Sequence, residues 1–154
     1  MDLTKTVGIV TKPLGRGGIV PVSNLVKIFT FISDSVYIIT ANEGANLNPE
    51  ENNGLIIKSF QYKYGENTLK KMVNNFSLQV KITLSIFKRR KSITTWIFFL
   101  DSHTFILPVF GAKLMRSKIV FPLAASIKGS AKAQNNWLNN LLILFESITL
   151  EFAD

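Results

Sequence analysis

Short apolar runs rich in β-branched residues alternate with longer runs of helical period along almost the whole of this 154-residue chain. An apolar run that does not alternate with polar residues suits a strand buried on both faces, as in a parallel sheet. Parallel neighbours must be joined by crossovers, and helical segments between strands supply them. The pattern therefore predicts an α/β chain: a three-layer, Rossmann-like open parallel sheet with helices on both faces. Strands are expected over residues 5–12, 36–40, 55–60, 93–100 and 118–123, and helices over 19–33, 66–90, 104–115 and 135–152.

In the first helical run Val22, Leu25, Val26, Phe29 and Ile32 recur at helical spacing, and Pro21 is expected in its first turn. In the second, Leu69, Met72, Val73, Phe76, Val80, Leu84 and Phe87 form a stripe with Lys70, Lys71, Lys81 and Lys88 off it. Lys88-Arg89-Arg90-Lys91 is expected to close that helix, where cations complement the C-terminal dipole. The last run presents Trp137, Leu138, Leu141, Leu142, Phe145 and Ile148 on one face. No internal repeat is evident. A strand is expected after this helix, and the chain stops at Asp154, so a single domain over residues 1–154 lacking a following partner is expected.

A hydrophobic content of 47% excludes a disordered chain, and the absence of cysteine excludes disulfides, thiolate metal sites and cysteine nucleophiles. A reducing cytoplasm is the simplest location. Net charge is +8, concentrated between Lys58 and Lys132, where fourteen Lys/Arg face only Glu66 and Asp101. A basic surface suits phosphorylated ligands, anionic lipid or nucleic acid, though many basic proteins bind nothing through such charge. No motif of a nucleic-acid-binding class is present, and no nucleic acid is expected as partner. The apolar stretch 93–125 is interrupted by Asp101, His103, Lys113, Arg116 and Lys118, too many for a spanning helix.

The stretch Thr11-Lys12-Pro13-Leu14-Gly15-Arg16-Gly17-Gly18, between the first strand and first helix, is the leading candidate site. A strand–glycine loop–helix unit can bring backbone N–H groups to a phosphorylated or sugar ligand, since glycine has no Cβ to block approach. Gly15-Arg16-Gly17-Gly18-Ile19-Val20 has Val20 where a dinucleotide fingerprint has its third glycine, and no Gly-Lys-Ser/Thr follows as a P-loop requires. A tight turn that merely packs is the alternative. The sole histidine, His103, follows the fourth strand in Asp101-Ser102-His103-Thr104, on the edge where such sheets bind ligands. It serves there as acid, base or donor, or else helps cap the next helix. The loop Ser126-Ile127-Lys128-Gly129-Ser130 follows the fifth strand on the same edge and suits hydroxyls or phosphate, or Ser130 caps the final helix.

Three stretches together resemble the N-terminal, acceptor-side domain of GT-B glycosyltransferases, specifically the retaining family four. They are the glycine stretch leading into Val22-Ser23-Asn24-Leu25-Val26-Lys27; Ile97-Phe98-Phe99-Leu100 with the tip Asp101-Ser102-His103; and Ala112-Lys113-Leu114 through Lys118-Ile119-Val120 to Gly129-Ser130-Ala131-Lys132-Ala133. Where many members carry a histidine after the fifth strand, this chain has Ala124-Ala125-Ser126. The resemblance implies transfer of a sugar from a nucleotide-sugar donor, as substrate and with no further cofactor, to a carbohydrate or lipid-linked acceptor. It implies that Gly15, Gly17 and Gly18 approach the diphosphate, that Arg16 adds charge, and that His103 and residues 126–130 line the acceptor side. It also implies a separate C-terminal domain holding the donor pocket, little turnover without it, and peripheral contact with anionic membrane. Two other readings stay open: a stand-alone α/β module binding a nucleotide or phosphorylated ligand, and a basic nucleic-acid-binding domain.

Overall fold

The computed structural model of the chain describes residues 6–47, 54–100 and 105–122, and positions 147 and 151. Five strands, β1 (Thr6–Leu14), β2 (Ser35–Asn42), β3 (Leu55–Phe60), β4 (Ile93–Phe99) and β5 (Lys118–Val120), form one sheet in the order β3-β2-β1-β4-β5. Every pairing is parallel. Three helices connect them: α1 (Arg16–Ile32), α2 (Thr68–Lys88) and α3 (Ile106–Leu114). This is the expected α/β, Rossmann-like open sheet.

The helices divide between the two faces because strand side chains alternate. Val7 and Ile9 of β1 and Val36 and Ile38 of β2 pack with Val22 and Val26 of α1. Val10, Ile39, Trp96 and Phe98 point the other way, onto Leu78, Ile82 and Ile86 of α2 and Val109 and Ala112 of α3. Gly8 also faces this second layer. A Cβ there would lie 2.3 Å from the indole of Trp96, its partner in register on β4. The glycine in the central strand thus makes the space that a fully buried tryptophan fills. Tyr37 meets that indole edge-on at 6.4 Å, and the Arg89 guanidinium lies 4.8 Å from the Tyr37 ring centroid.

The second helix departs from expectation in which face it buries. Leu78, Ile82 and Ile86 lie against the sheet, whereas the expected stripe is outward, with Leu69 71% and Phe76 61% exposed. Both faces are apolar, and the denser stripe is not the one that covers the strands. The helix begins two residues late because Asn67 caps it, its Oδ1 accepting from the Lys70 N–H at 2.9 Å. β2 runs longer than its apolar stretch, and Glu43–Asn46 form a 3-10 turn within the segment expected to be loop. The strand at 118 is shorter than expected and ends at Val120.

Candidate functional site

Parallel strands place all their carboxyl ends on one edge, and the strand order reverses direction between β1 and β4. That switch point is where open α/β sheets form a ligand crevice. The end of β1 is shaped by Pro13. Proline cannot donate to the ladder, and the β1–β2 register shifts between Val10 and Pro13. The strand nevertheless continues to Leu14, paired with Asn42.

The glycine stretch is consequently not an extended loop. Gly15 alone separates β1 from α1; it is an extended N-cap at φ −93° and ψ 176°. Arg16, Gly17 and Gly18 are the first helical residues, and the Gly18 N–H donates to the Gly15 carbonyl at 2.9 Å. Pro21 accordingly sits in the second helical turn rather than the first. Gly15, Arg16 and Gly17 are exposed, and a Cβ on Gly15 or Gly17 would meet nothing within 4 Å. Gly18 differs: its Cβ would come to 3.0 Å from Leu14 Cδ2, so this glycine lets the helix lie close on the strand. The expected residues Asp101, His103, Ser126, Lys128, Gly129 and Ser130 lie outside the described residues.

On the α2 side of the same strand end, the structure assembles a cleft that sequence reading did not find. A cavity of about 210 Å³ is lined by Lys12 and Pro13 of β1, Tyr62 and Tyr64 of the β3–α2 connection, Asn75 and Leu78 of α2, and Phe105 at the start of α3. A second cavity of about 260 Å³ shares Tyr62 and Leu78 with it and continues to Ser77 and Lys81. Tyr62 is therefore the wall between the two. Its ring meets Tyr64 edge-on, centroids 5.1 Å apart. Its N–H donates to Asn42 Oδ1 at 2.9 Å, tying the connection to the end of β2. Asn74 Nδ2 donates to the Lys63 carbonyl at 2.8 Å and fixes the same connection to α2. Gly65 closes the turn, because a Cβ there would be 2.5 Å from the Lys71 backbone nitrogen.

Burial first, and then the neighbouring Tyr64, hold the Tyr62 phenol above its usual range. It remains a neutral donor and acceptor at every physiological pH. The ends of both strands flanking β1 are in the left-handed region: Asn42 at φ 57° and Leu100 at φ 52°. A branched residue such as Leu100 in that region costs about 1–3 kcal/mol, a strain that functional edges of folds often carry. Chemically the cleft offers two phenols, one lysine, one amide and an apolar floor, a set that can stack on a ring and hydrogen-bond hydroxyls. Among the described residues, no group of three or more His, Asp or Glu is placed to hold a metal ion. Nor is any described helix long and apolar enough to cross a membrane.

No protein-family model matches the sequence, and no curated protein does. Solved structures do. The C-terminal domain of a hydrogenase from Pyrococcus furiosus is similar to this chain at 12% identity and a TM-score of 0.58, covering 80% of this chain and 95% of that domain. A UGT transferase from Siraitia grosvenorii, crystallised with UDP, is similar at 11% identity and a TM-score of 0.60, covering 83% of this chain. This chain spans only 30% of that transferase's length. At such identities the likeness is one of fold alone: a parallel α/β arrangement, shared with both structures.

The signal that sequence reading passed over was the stretch Gln61-Tyr62-Lys63-Tyr64-Gly65. It places two tyrosines two residues apart, directly after a strand and before a capped helix, on the ligand-binding edge.

Proposed function

We propose that this chain is the N-terminal, acceptor-side domain of a GT-B glycosyltransferase of the retaining family-four type, acting with a C-terminal domain. The observation that carries this reading is the cleft at the switch point, where Lys12, Tyr62, Tyr64 and Asn75 present ring faces and hydrogen-bonding groups to one cavity. Carbohydrates have apolar C–H faces and hydroxyl rims, which such a mixture matches. The likeness to a UDP-bound transferase supports the nucleotide-sugar side of the proposal.

In this reading the acceptor sugar lies over Tyr64 and Tyr62, with Asn75 and the Tyr62 hydroxyl holding its orientation. The exposed N–H groups at Gly15 and Gly17, with Arg16 beside them, face the donor diphosphate. Asp101, His103, Ser126, Lys128, Gly129 and Ser130 complete the acceptor side, with His103 the candidate acid–base group. The basic stretch from Lys58 to Lys132 suits an acceptor displayed on an anionic membrane surface. In this reading the donor pocket belongs to a C-terminal domain, so residues 1–154 on their own bind acceptor but do not turn over: stabilisation of the transition state needs both walls.

The test is a titration of the chain with simple glycosides and with UDP-sugars, alongside a transfer and hydrolysis assay. Glycoside binding that Tyr64→Ala abolishes, without turnover, is the expected result. Robust transfer by this chain alone overturns the half-enzyme reading. Tight nucleotide binding without glycoside binding favours a stand-alone nucleotide module instead. That module is the second reading, supported by the open glycines at the start of α1.

A further inference from the structure

The two cavities that meet at Tyr62 differ in chemistry. The one beside Tyr64 has an apolar floor of Pro13, Leu78 and Phe105. The other, of about 260 Å³, shares Leu78 but is otherwise walled by polar groups, among them Lys63, Asn74, Ser77 and Lys81. Asn74, Ser77 and Lys81 recur three and four residues apart on α2, so they share one helical face. Lys63 is clamped to that face, because its carbonyl accepts from Asn74 Nδ2 at 2.8 Å. The preceding residue is held from the other side by the bond from the Tyr62 N–H to Asn42 Oδ1. The polar pocket is thus built into the join between the connection and the helix.

We propose that this pocket is an anion subsite for a phosphoryl group, so that the ligand of the cleft is a phosphorylated carbohydrate, its ring over Tyr62 and Tyr64 and its phosphoryl oxygens between Lys63 and Lys81. The charge of the walls carries the proposal. The residues lining the two cavities include Lys12, Lys63 and Lys81 and no Asp or Glu. Neither Lys63 nor Lys81 forms an ion pair with a described residue. Cations grouped around a concave surface without an acid among them raise the local potential and draw in an anion. The kind of cation narrows its class. Each ammonium is a compact point charge with three donors, whereas the planar fork of an arginine is the match for a carboxylate. A phosphate monoester carries about −1.5 to −2 charges at pH 7, which two lysines balance; a carboxylate leaves one of them unmatched. Ser77 supplies a hydroxyl in the same wall, and the Tyr62 phenol stays protonated, so both are available to donate to phosphoryl oxygens. The placement of the ring rests on the acceptor-side function proposed for the cleft; the phosphoryl subsite stands without it.

The test is a titration of the full ¹⁵N-labelled chain with inorganic phosphate, ionic strength being held constant with sodium chloride. Saturable shifts of the Lys63, Ser77 and Lys81 amides are expected. Lys63→Gln with Lys81→Gln, both exposed positions, is expected to abolish them while the amide dispersion of the folded chain is kept. Lys88→Gln with Lys91→Gln, equally exposed but away from the pocket, is expected to leave them unchanged. No shift at the pocket, or shifts at Lys88 and Lys91 as large as those at Lys63 and Lys81, overturns the subsite. Hexoses and their phosphate monoesters, titrated in parallel, separate this proposal from the acceptor-side function. Monoesters should bind about tenfold tighter than the parent sugars, and the Lys63→Gln, Lys81→Gln chain should lose that difference. Parent sugars that bind without any gain from the phosphate overturn the subsite and leave the acceptor-side function standing. Phosphate shifts without sugar binding do the reverse. Glycerol 1-phosphate and phosphatidylglycerol vesicles distinguish the sources: saturation by the soluble ester supports a free phosphate monoester, and capture by vesicles alone, lost in the double variant, supports a lipid headgroup at the same pocket. Shifts produced by a single-stranded oligouridylate but not by phosphate overturn the proposal in favour of a nucleic-acid surface.

Discussion

The end of β1 has two sides, and they were visible to very different degrees. Toward α1 lies the glycine turn, a contiguous motif that any reading of the chain notices. Toward α2 lies the tyrosine cleft, whose walls come from four separate segments. The contiguous motif is structurally permissive: Gly15 and Gly17 have open space where a side chain would go. Among the glycines that the packing does require are Gly8, against Trp96, and Gly65, against the first turn of α2. Three glycines within four residues advertise freedom of the backbone; a single glycine in a strand or before a helix can be the tighter constraint.

Substitutions can break this contrast. Gly8→Ala forces a methyl group into the Trp96 ring in the middle of the sheet, and a loss of about 1–3 kcal/mol is expected. Denaturant midpoints measure it, and an unchanged midpoint would mean that the indole does not occupy that space. Tyr64→Ala is expected to cost about 1.4 kcal/mol in glycoside affinity, roughly tenfold by titration, with little change in stability. Gly65→Ala should produce a similar loss by a different route. Its Cβ meets backbone that cannot yield, so the connection carrying Tyr62 and Tyr64 must shift.

The opposite side of the strand predicts the opposite outcome. Gly17→Ala is expected to stabilise the chain by about 0.4–1 kcal/mol, because alanine fits the helical backbone and restricts the unfolded chain. If this variant also loses affinity for a nucleotide sugar, the turn is where the diphosphate approaches. If it does not, the turn only packs. The smallest effect is a matter of pH. Since burial holds the folded Tyr62 phenol above the ordinary phenol value of about 10, its contribution to stability is complete below that value. It declines as pH rises from there through the folded value, since only the unfolded phenol ionises readily. Tyr62→Phe should flatten that alkaline decline, and phenolate difference absorbance should lose a late-titrating component in that variant.

Most of the fold was legible from local pattern. β3 lies on the expected residues, the β-branched run at 36–40 is the core of β2, and β4 fills the expected run at 93–100 but for its last residue. Alternation of strands with helices leads to a parallel sheet because right-handed crossovers leave few other arrangements. Element ends were less legible. Pro13 was expected outside the strand, yet a bulge accommodates it, and Asn67 rather than Glu66 sets the start of α2. The burial of α2 was not legible at all. A helix with apolar residues on two faces leaves open which of them meets the sheet.

What the sequence by itself determined is the alternation and the parallel α/β class, because each depends on spacing along the chain. Only the tertiary structure decided that Lys12, Tyr62, Asn75 and Phe105 share one cavity, and that Leu78, Ile82 and Ile86 form the inward face of α2. Both depend on contacts between residues far apart in the chain, brought together by strand order and helix rotation, which no local period encodes.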